Sequence, residues 1–200
     1  MRLIVSLLIV SVAVLSACSP APPSYQEALA TAREEKDRML RESAQSPVPA
    51  AARAKFPPLQ YYAIDESYRS PAALKPPARN APVIVMPTST GQQRKMRRAG
   101  TLEFSLQGQP LKLSAFSDLE SPVPQRLFVP FGDFTNGRET YPGGRYLDLD
   151  PTATGLYEID FNRAYNPYCA YNPEYDCPFP PPENRLKVPV RAGEKLPAGH

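Results

Sequence analysis

Thr101-Leu102-Glu103-Phe104-Ser105-Leu106-Gln107-Gly108-Gln109-Pro110-Leu111-Lys112-Leu113-Ser114-Ala115 alternates apolar and polar residues on both sides of a turn signal. Leu102, Phe104 and Leu106 share one face, with Thr101, Glu103 and Ser105 on the other. Leu111, Leu113 and Ala115 repeat the pattern against Lys112 and Ser114. Period-two alternation marks half-buried strands, and Gln107 to Pro110 joins the two runs as a hairpin. Shorter runs lie on either side. Val83 to Met86 is an apolar strand, and Leu127, Val129 and Phe131 form another, with Pro130 placing it at an edge or a strand end. Tyr146 to Leu149 follows the turn Pro142-Gly143-Gly144. Tyr157, Ile159 and Phe161 alternate with Glu158 and Asp160, and Leu186 to Val190 is expected as the last strand. Leu59 to Ile64 reads as one more short strand. The predicted fold class is mainly β (α+β): an antiparallel sheet closed into a barrel or sandwich, with one N-terminal helix and Pro-rich loops.

Upstream of the β region, Ser24-Tyr25-Gln26-Glu27 fits a capping box, and a helix is expected from about Tyr25 to Glu42. Its apolar stripe of Tyr25, Ala28, Leu29, Ala32, Met39 and Leu40 is interrupted by Lys36. The chain divides into 1–17, 18–23, 24–44 (the helix), 45–82 (an extended Pro-rich connector) and 83–196 (the β domain).

Residues 1–17 read as a leader. Arg2 is followed by an apolar run from Leu3 to Leu15, which as a helix rises only about 20 Å. A membrane core is ~30 Å thick, so a secretory signal fits better than a membrane span. Leu15-Ser16-Ala17-Cys18 resembles a bacterial lipobox, which implies cleavage before Cys18 and lipidation of its thiol and amine. In a Gram-negative cell Ser19, in place of Asp, implies sorting to the outer membrane with the body facing the periplasm, whereas in a Gram-positive cell the same signal leaves the protein outside the plasma membrane; Ser19 to Pro23 forms a tether. Several acyl chains anchor a protein far more firmly than one.

Removing 17 of the 200 residues leaves 183, enough for one domain with a real core. The formal charge of +3 drops to +2 without Arg2, a balance that favours neither nucleic acid nor acidic membrane as partner. With Cys18 taken by lipid, Cys169 and Cys177 are an even pair, expected as a disulfide in an oxidising compartment. The only His is His200 and there is no Trp, so His-based catalysis or metal binding is excluded, and no cofactor or metal is expected.

The stretch 131–194 is the densest in polar and turn residues. It carries Phe131-Gly132-Asp133-Phe134-Thr135-Asn136-Gly137, Thr140-Tyr141-Pro142-Gly143-Gly144-Arg145-Tyr146-Leu147 and Asp160-Phe161-Asn162-Arg163-Ala164-Tyr165-Asn166-Pro167. After Cys169 and Cys177 come Pro180-Pro181-Pro182-Glu183-Asn184-Arg185-Leu186 and Ala192-Gly193-Glu194. In this order the segments resemble the bacterial domain-of-unknown-function family 1684, over roughly 56–196. Tyr168 departs from the pattern, standing where the family has a second Pro before the Cys. The resemblance implies a domain and no mechanism.

The chemistry of the residues leaves alternatives. Arg145, Tyr146, Asp160, Asn162, Arg163, Asn166 and Asn184 are candidate ligand-binding residues, with Arg145 or Arg163 gripping a carboxylate or phosphate bidentately. The competing account is that Asp160 pairs with an Arg and the Asn side chains cap turns in Pro-rich chain. Asp148, Asp150, Glu158 and Asp160 are weighed as a Ca²⁺ site or a glycosidase pair, without the spacing of either. Tyr157, Tyr165, Tyr168, Tyr171 and Tyr175 stack on a sugar or peptide, or cap a core. Arg94 to Arg98 is a basic cluster expected at a turn, either solvated or facing an anionic polymer. Two functions follow. The first is a lipid-anchored binding or scaffolding module whose partner is an envelope protein or a small anionic or carbohydrate ligand. The second is an enzyme acting on such a substrate near Arg145, Asp160 and Arg163.

Overall fold

The computed structural model describes residues 21–77, 83–119, 126–150 and 152–197, so the leader and Cys18 lie outside the described residues. The strands are β1 (Arg69–Lys75), β2 (Ile84–Pro87), β3 (Gln93–Leu106), β4 (Gln109–Asp118), β5 (Leu127–Phe131), β6 (Arg145–Leu149) and β7 (Leu156–Asp160). They form one antiparallel sheet in the order β6-β5-β4-β3-β1-β7, with β2 beside the first part of β3. The sheet curls into a half-barrel.

The β3–β4 hairpin is the spine. Its register runs from Leu106↔Gln109 to Met96↔Asp118, with a bulge between Arg98 and Gly100. Gln107 and Gly108 both take positive φ, 49° and 79°. That is the conformation a tight two-residue hairpin loop requires. The alternation then sets the core: Leu102, Phe104, Leu106, Leu113 and Ala115 pack with Leu127, Val129, Phe131, Leu147, Ile159 and Phe161. Burying one such side chain stabilises by about 1.5–3 kcal/mol.

Three segments differ from the sequence expectation. β1 lies inside the stretch read as connector, pairing with β3 on one side and β7 on the other despite Pro71. The basic cluster extends β3 instead of forming a turn, and β2 pairs with it. Leu186 to Val190 is not a strand. It touches the sheet through a Gly132↔Arg185 bridge, and Pro189 has no N–H with which to continue a ladder. Leu59 to Ile64 likewise contributes only the bridge Tyr61↔Glu194.

The helix α1 (Tyr25–Glu42) begins with Ser24 and Glu27 capping each other. It lies against the body largely through polar contacts. The Tyr25 hydroxyl donates to Asp160 at 2.8 Å, Arg33 donates to the Tyr62 carbonyl at 3.0 Å, and Lys36 reaches Glu194 at 2.5 Å. Its last turns bury Leu40 with Val48 and Leu59, beneath Phe56 and Tyr171.

Candidate functional site

Arg145 opens β6 with no exposed surface. Its guanidinium donates to Asp133 at 2.9 Å and to the carbonyls of Val190 (2.8 Å), Ala192 (2.5 Å) and Glu194 (3.1 Å). It also lies 5.2 Å from the Phe131 ring centroid. Asp133 completes the clamp by accepting from the Thr135 amide at 2.8 Å, the Thr135 hydroxyl at 2.6 Å and the Val190 amide at 3.1 Å. The clamp pins the irregular segment 190–194 under the sheet. Asp133, Thr135 and Glu194 were not singled out from sequence, although the F-x-D-x-T motif was the available signal.

The remaining candidates also turn inward. Asp160 accepts from Tyr25, from the Asn162 amide at 3.0 Å and from Arg163 Nε at 3.2 Å. Asn162 exchanges two hydrogen bonds with the Asp65 main chain, at 3.0 and 2.8 Å. Asn166 donates to Glu194 Oε2 and to the Lys195 carbonyl, both at 2.8 Å. Asn184 accepts from the Ser114 amide at 2.7 Å and donates to the carbonyls of Ser114 (2.8 Å) and Pro130 (2.7 Å). Asn162, Asn166 and Asn184 are each at most 1% exposed, so the seven candidates do not converge on a common opening. All but Arg163 satisfy main chain that Pro-rich, irregular segments leave without a ladder. Arg163 alone among them keeps an exposed head, half covered and beside Asp160.

Among the four weighed carboxylates, Asp150 pairs with Arg126 at 2.7 Å and Glu158 with Arg69 at 3.0 Å. They border a shallow groove of about 190 Å³ with Asp148, Asp160 and Arg163.

Cys169 and Cys177 are two buried thiols, not the expected bridge. The Cys169 amide donates to Cys177 Sγ at 3.2 Å. The thiols hydrogen-bond each other, which pulls Cys169 below the ordinary thiol range and pushes Cys177 up.

The larger opening is elsewhere: a cleft of about 560 Å³, within the range of small-molecule sites. Lys36 and Met39 of α1 form one wall, and Phe128 of β5 with Tyr146 and Asp148 of β6 form the floor. Arg94 of β3 and the loop carrying Tyr165, Tyr168, Tyr175, Asp176 and Cys177 close it. The rings contact edge to face: Phe128–Tyr146 at 4.7 Å, Tyr146–Tyr165 at 5.8 Å and Tyr168–Tyr175 at 5.3 Å. The Tyr146 hydroxyl is spent on the Pro178 carbonyl at 2.6 Å, and the Tyr165 hydroxyl on Asp148 at 2.8 Å. Burial first, and then the Asp148 carboxylate, raise the Tyr165 phenol above its ordinary range, so it stays a donor at neutral pH. Lys36 Nζ sits 4.9 Å from the Tyr165 ring centroid. Tyr168 remains 40% exposed, and it borders this cleft.

A curled antiparallel half-barrel, clamped by an internal arginine and faced by an aromatic cleft, defines a class of fold and no chemistry. The chain belongs to the family described as "Protein of unknown function (DUF1684)", which matches residues 54–195. It is similar to the uncharacterized protein from gene locus rrnAC0354 of Haloarcula marismortui, known from a solution NMR structure. The two are 37% identical with a TM-score of 0.66, over 86% of this chain and 95% of that one. That relative is archaeal, so a bacterial origin does not follow from the likeness. No curated protein matches the sequence.

Proposed function

We propose that this chain is a lipid-anchored envelope protein whose folded part is a binding module, with the tyrosine-lined cleft as its site. The observation that carries the binding reading is the contrast between two sets of residues. The polar heads near Arg145 are consumed by the fold, whereas the cleft leaves aromatic rings and charged arms open to solvent. Rings with an apolar body and a polar tip serve recognition well, because they bury area at little cost in conformational entropy. An enzyme built on Arg145, Asp160 and Arg163 would have only the Arg163 head open to a substrate, because Arg145 and Asp160 are buried in the fold. The lipobox supports the anchor, with the body facing the periplasm. An oxidising compartment there would favour joining Cys169 and Cys177, which lie close enough for the Cys169 amide to donate to Cys177 Sγ at 3.2 Å.

Two experiments test this. Cys18→Ala is expected to move the protein out of the membrane fraction and abolish labelling by palmitate; retained labelling overturns the anchor. For the cleft, the full chain in detergent micelles is applied to an array of envelope oligosaccharides and short peptides. Tyr168→Ala with Tyr175→Ala is expected to lose the retained ligands while keeping the thermal midpoint. Equal retention by the folded variant rejects the cleft as the site.

A further inference from the structure

We infer that the cleft takes a carboxylate-bearing glycan chain, an inference that rests on the cleft being the binding site. Much of the main chain bordering the cleft is paired. β5 lies between β4 and β6, and Tyr146 of β6 exchanges main-chain hydrogen bonds with Tyr165 at 2.9 and 3.0 Å. The Pro87 carbonyl at the end of β2 accepts from Phe179 at 2.8 Å. A peptide therefore finds little open ladder to extend beside the cleft, the way strand-adding sites bind. Recognition falls to side chains.

Those side chains are rings and two underused charges. Lys36 is committed to Glu194. Arg94 is about half exposed, spends one N–H on the Asp176 carbonyl at 3.1 Å and lies 3.7 Å from the Asp176 carboxylate. Most of its fork is free for a carboxylate. Asp148 is exposed and accepts from the Tyr165 hydroxyl, which leaves lone pairs for ligand hydroxyl or amide groups. Asp176 and Asp148 together hold the local potential low, which suits a singly charged carboxylate better than a doubly charged phosphate. Along the register Asp148 on β6 lies opposite Arg98, three strand spacings or about 14 Å away, and Arg94 is four residues further along β3, so Arg94 and Asp148 are separated by more than that along the sheet. That span exceeds one sugar ring, so the ligand is an oligomer, with its ring faces against Tyr168 and Tyr175.

The test uses the full chain in micelles and two probes sharing an N-acetylglucosamine-type backbone. Peptide-free cell-wall glycan strands carry lactyl carboxylates, and chitotetraose carries none. Calorimetry is expected to show the strands binding about tenfold tighter, the size of a charge-assisted contact. Arg94→Gln should erase that difference, while Tyr168→Ala with Tyr175→Ala weakens both probes. Equal affinity for the two probes, or a preference that survives Arg94→Gln, overturns the carboxylate assignment. If neither glycan binds while peptides bind in a Tyr168-dependent way, the glycan inference falls and the cleft stands as the site. If no binding depends on these tyrosines, both fall.

Discussion

Replacing Arg145 with alanine is expected to destabilise the fold by about 3–5 kcal/mol, the range for breaking a fully buried ion pair from one side. Both side chains of the Arg145–Asp133 pair are inaccessible to water. Truncation strands the Asp133 carboxylate in the interior. It also removes the donors that three carbonyls of segment 190–194 now use. Each carbonyl left unsatisfied adds about 1–3 kcal/mol where water cannot replace the arginine. The ion pair alone is a poor stability argument, since apolar replacements of both partners are often neutral. Here the arginine does more than pair: one planar fork fixes a segment that has no strand partner. Urea unfolding followed by far-UV circular dichroism measures the change. Arg145→Lys, which keeps the charge and loses the fork, is expected to recover only part of the stability. A loss below about 1 kcal/mol for Arg145→Ala would mean that segment 190–194 is held by something other than the clamp.

The same clamp shows where sequence pattern stops being informative. The β3–β4 hairpin was legible because its signal is local: alternation on both sides of Gln107-Gly108 specifies register and turn within fifteen residues. β1 was hidden because Pro71 and the prolines after it look like a connector. Pro71 is tolerated because it lies near the start of β1, where it pairs only with Glu158 of β7 and the ladder to β3 begins at Ala72. Leu186 to Val190 misled in the opposite sense. Its apolar residues are core, but its main chain is satisfied from distant positions, by the Arg145 and Asp133 side chains at Val190 and by the main chain of Gly132 and Phe134 at Leu186 and Val188. The polar motifs around Asp160 and Asn184 fit either a ligand site or turn capping in sequence, and their geometry is that of turn satisfaction. Of the cleft, Tyr146, Tyr165, Tyr168 and Tyr175 were visible as aromatic residues of the C-terminal region. Lys36, Arg94 and Phe128 come from α1, β3 and β5, and nothing in local sequence joins them to that loop.

Gly193→Ala is the second substitution with a large expected effect, and it bears on the cleft as well as on stability. Gly193 has φ +77°, and a Cβ there would lie 2.6 Å from the carbonyl oxygens of both Phe161 and Ala164. Positive φ alone costs a residue with a side chain about 1–2 kcal/mol. The contact adds more, because the obstacles are main-chain atoms tied into the structure: the Ala164 oxygen accepts from Glu194 at 2.9 Å. Gly91 separates the two contributions. Its φ is +79°, but a Cβ there meets nothing within 4 Å, so Gly91→Ala reports the conformational cost by itself. Gly193→Ala is expected to exceed it by at least about 2 kcal/mol in denaturant unfolding. The chain must relieve the contact by moving segment 192–194. Glu194 would move with it, and Glu194 holds Lys36 at 2.5 Å, the Asn166 amide at 2.8 Å and the Tyr171 hydroxyl at 2.8 Å. Lys36 lies over Tyr165 in the cleft wall, so glycan affinity should fall in Gly193→Ala even under conditions where the variant stays folded. It should stay unchanged in Gly91→Ala. Equal destabilisation by the two substitutions would show that segment 192–194 yields freely, and the cleft wall would then not depend on the clamp beneath it.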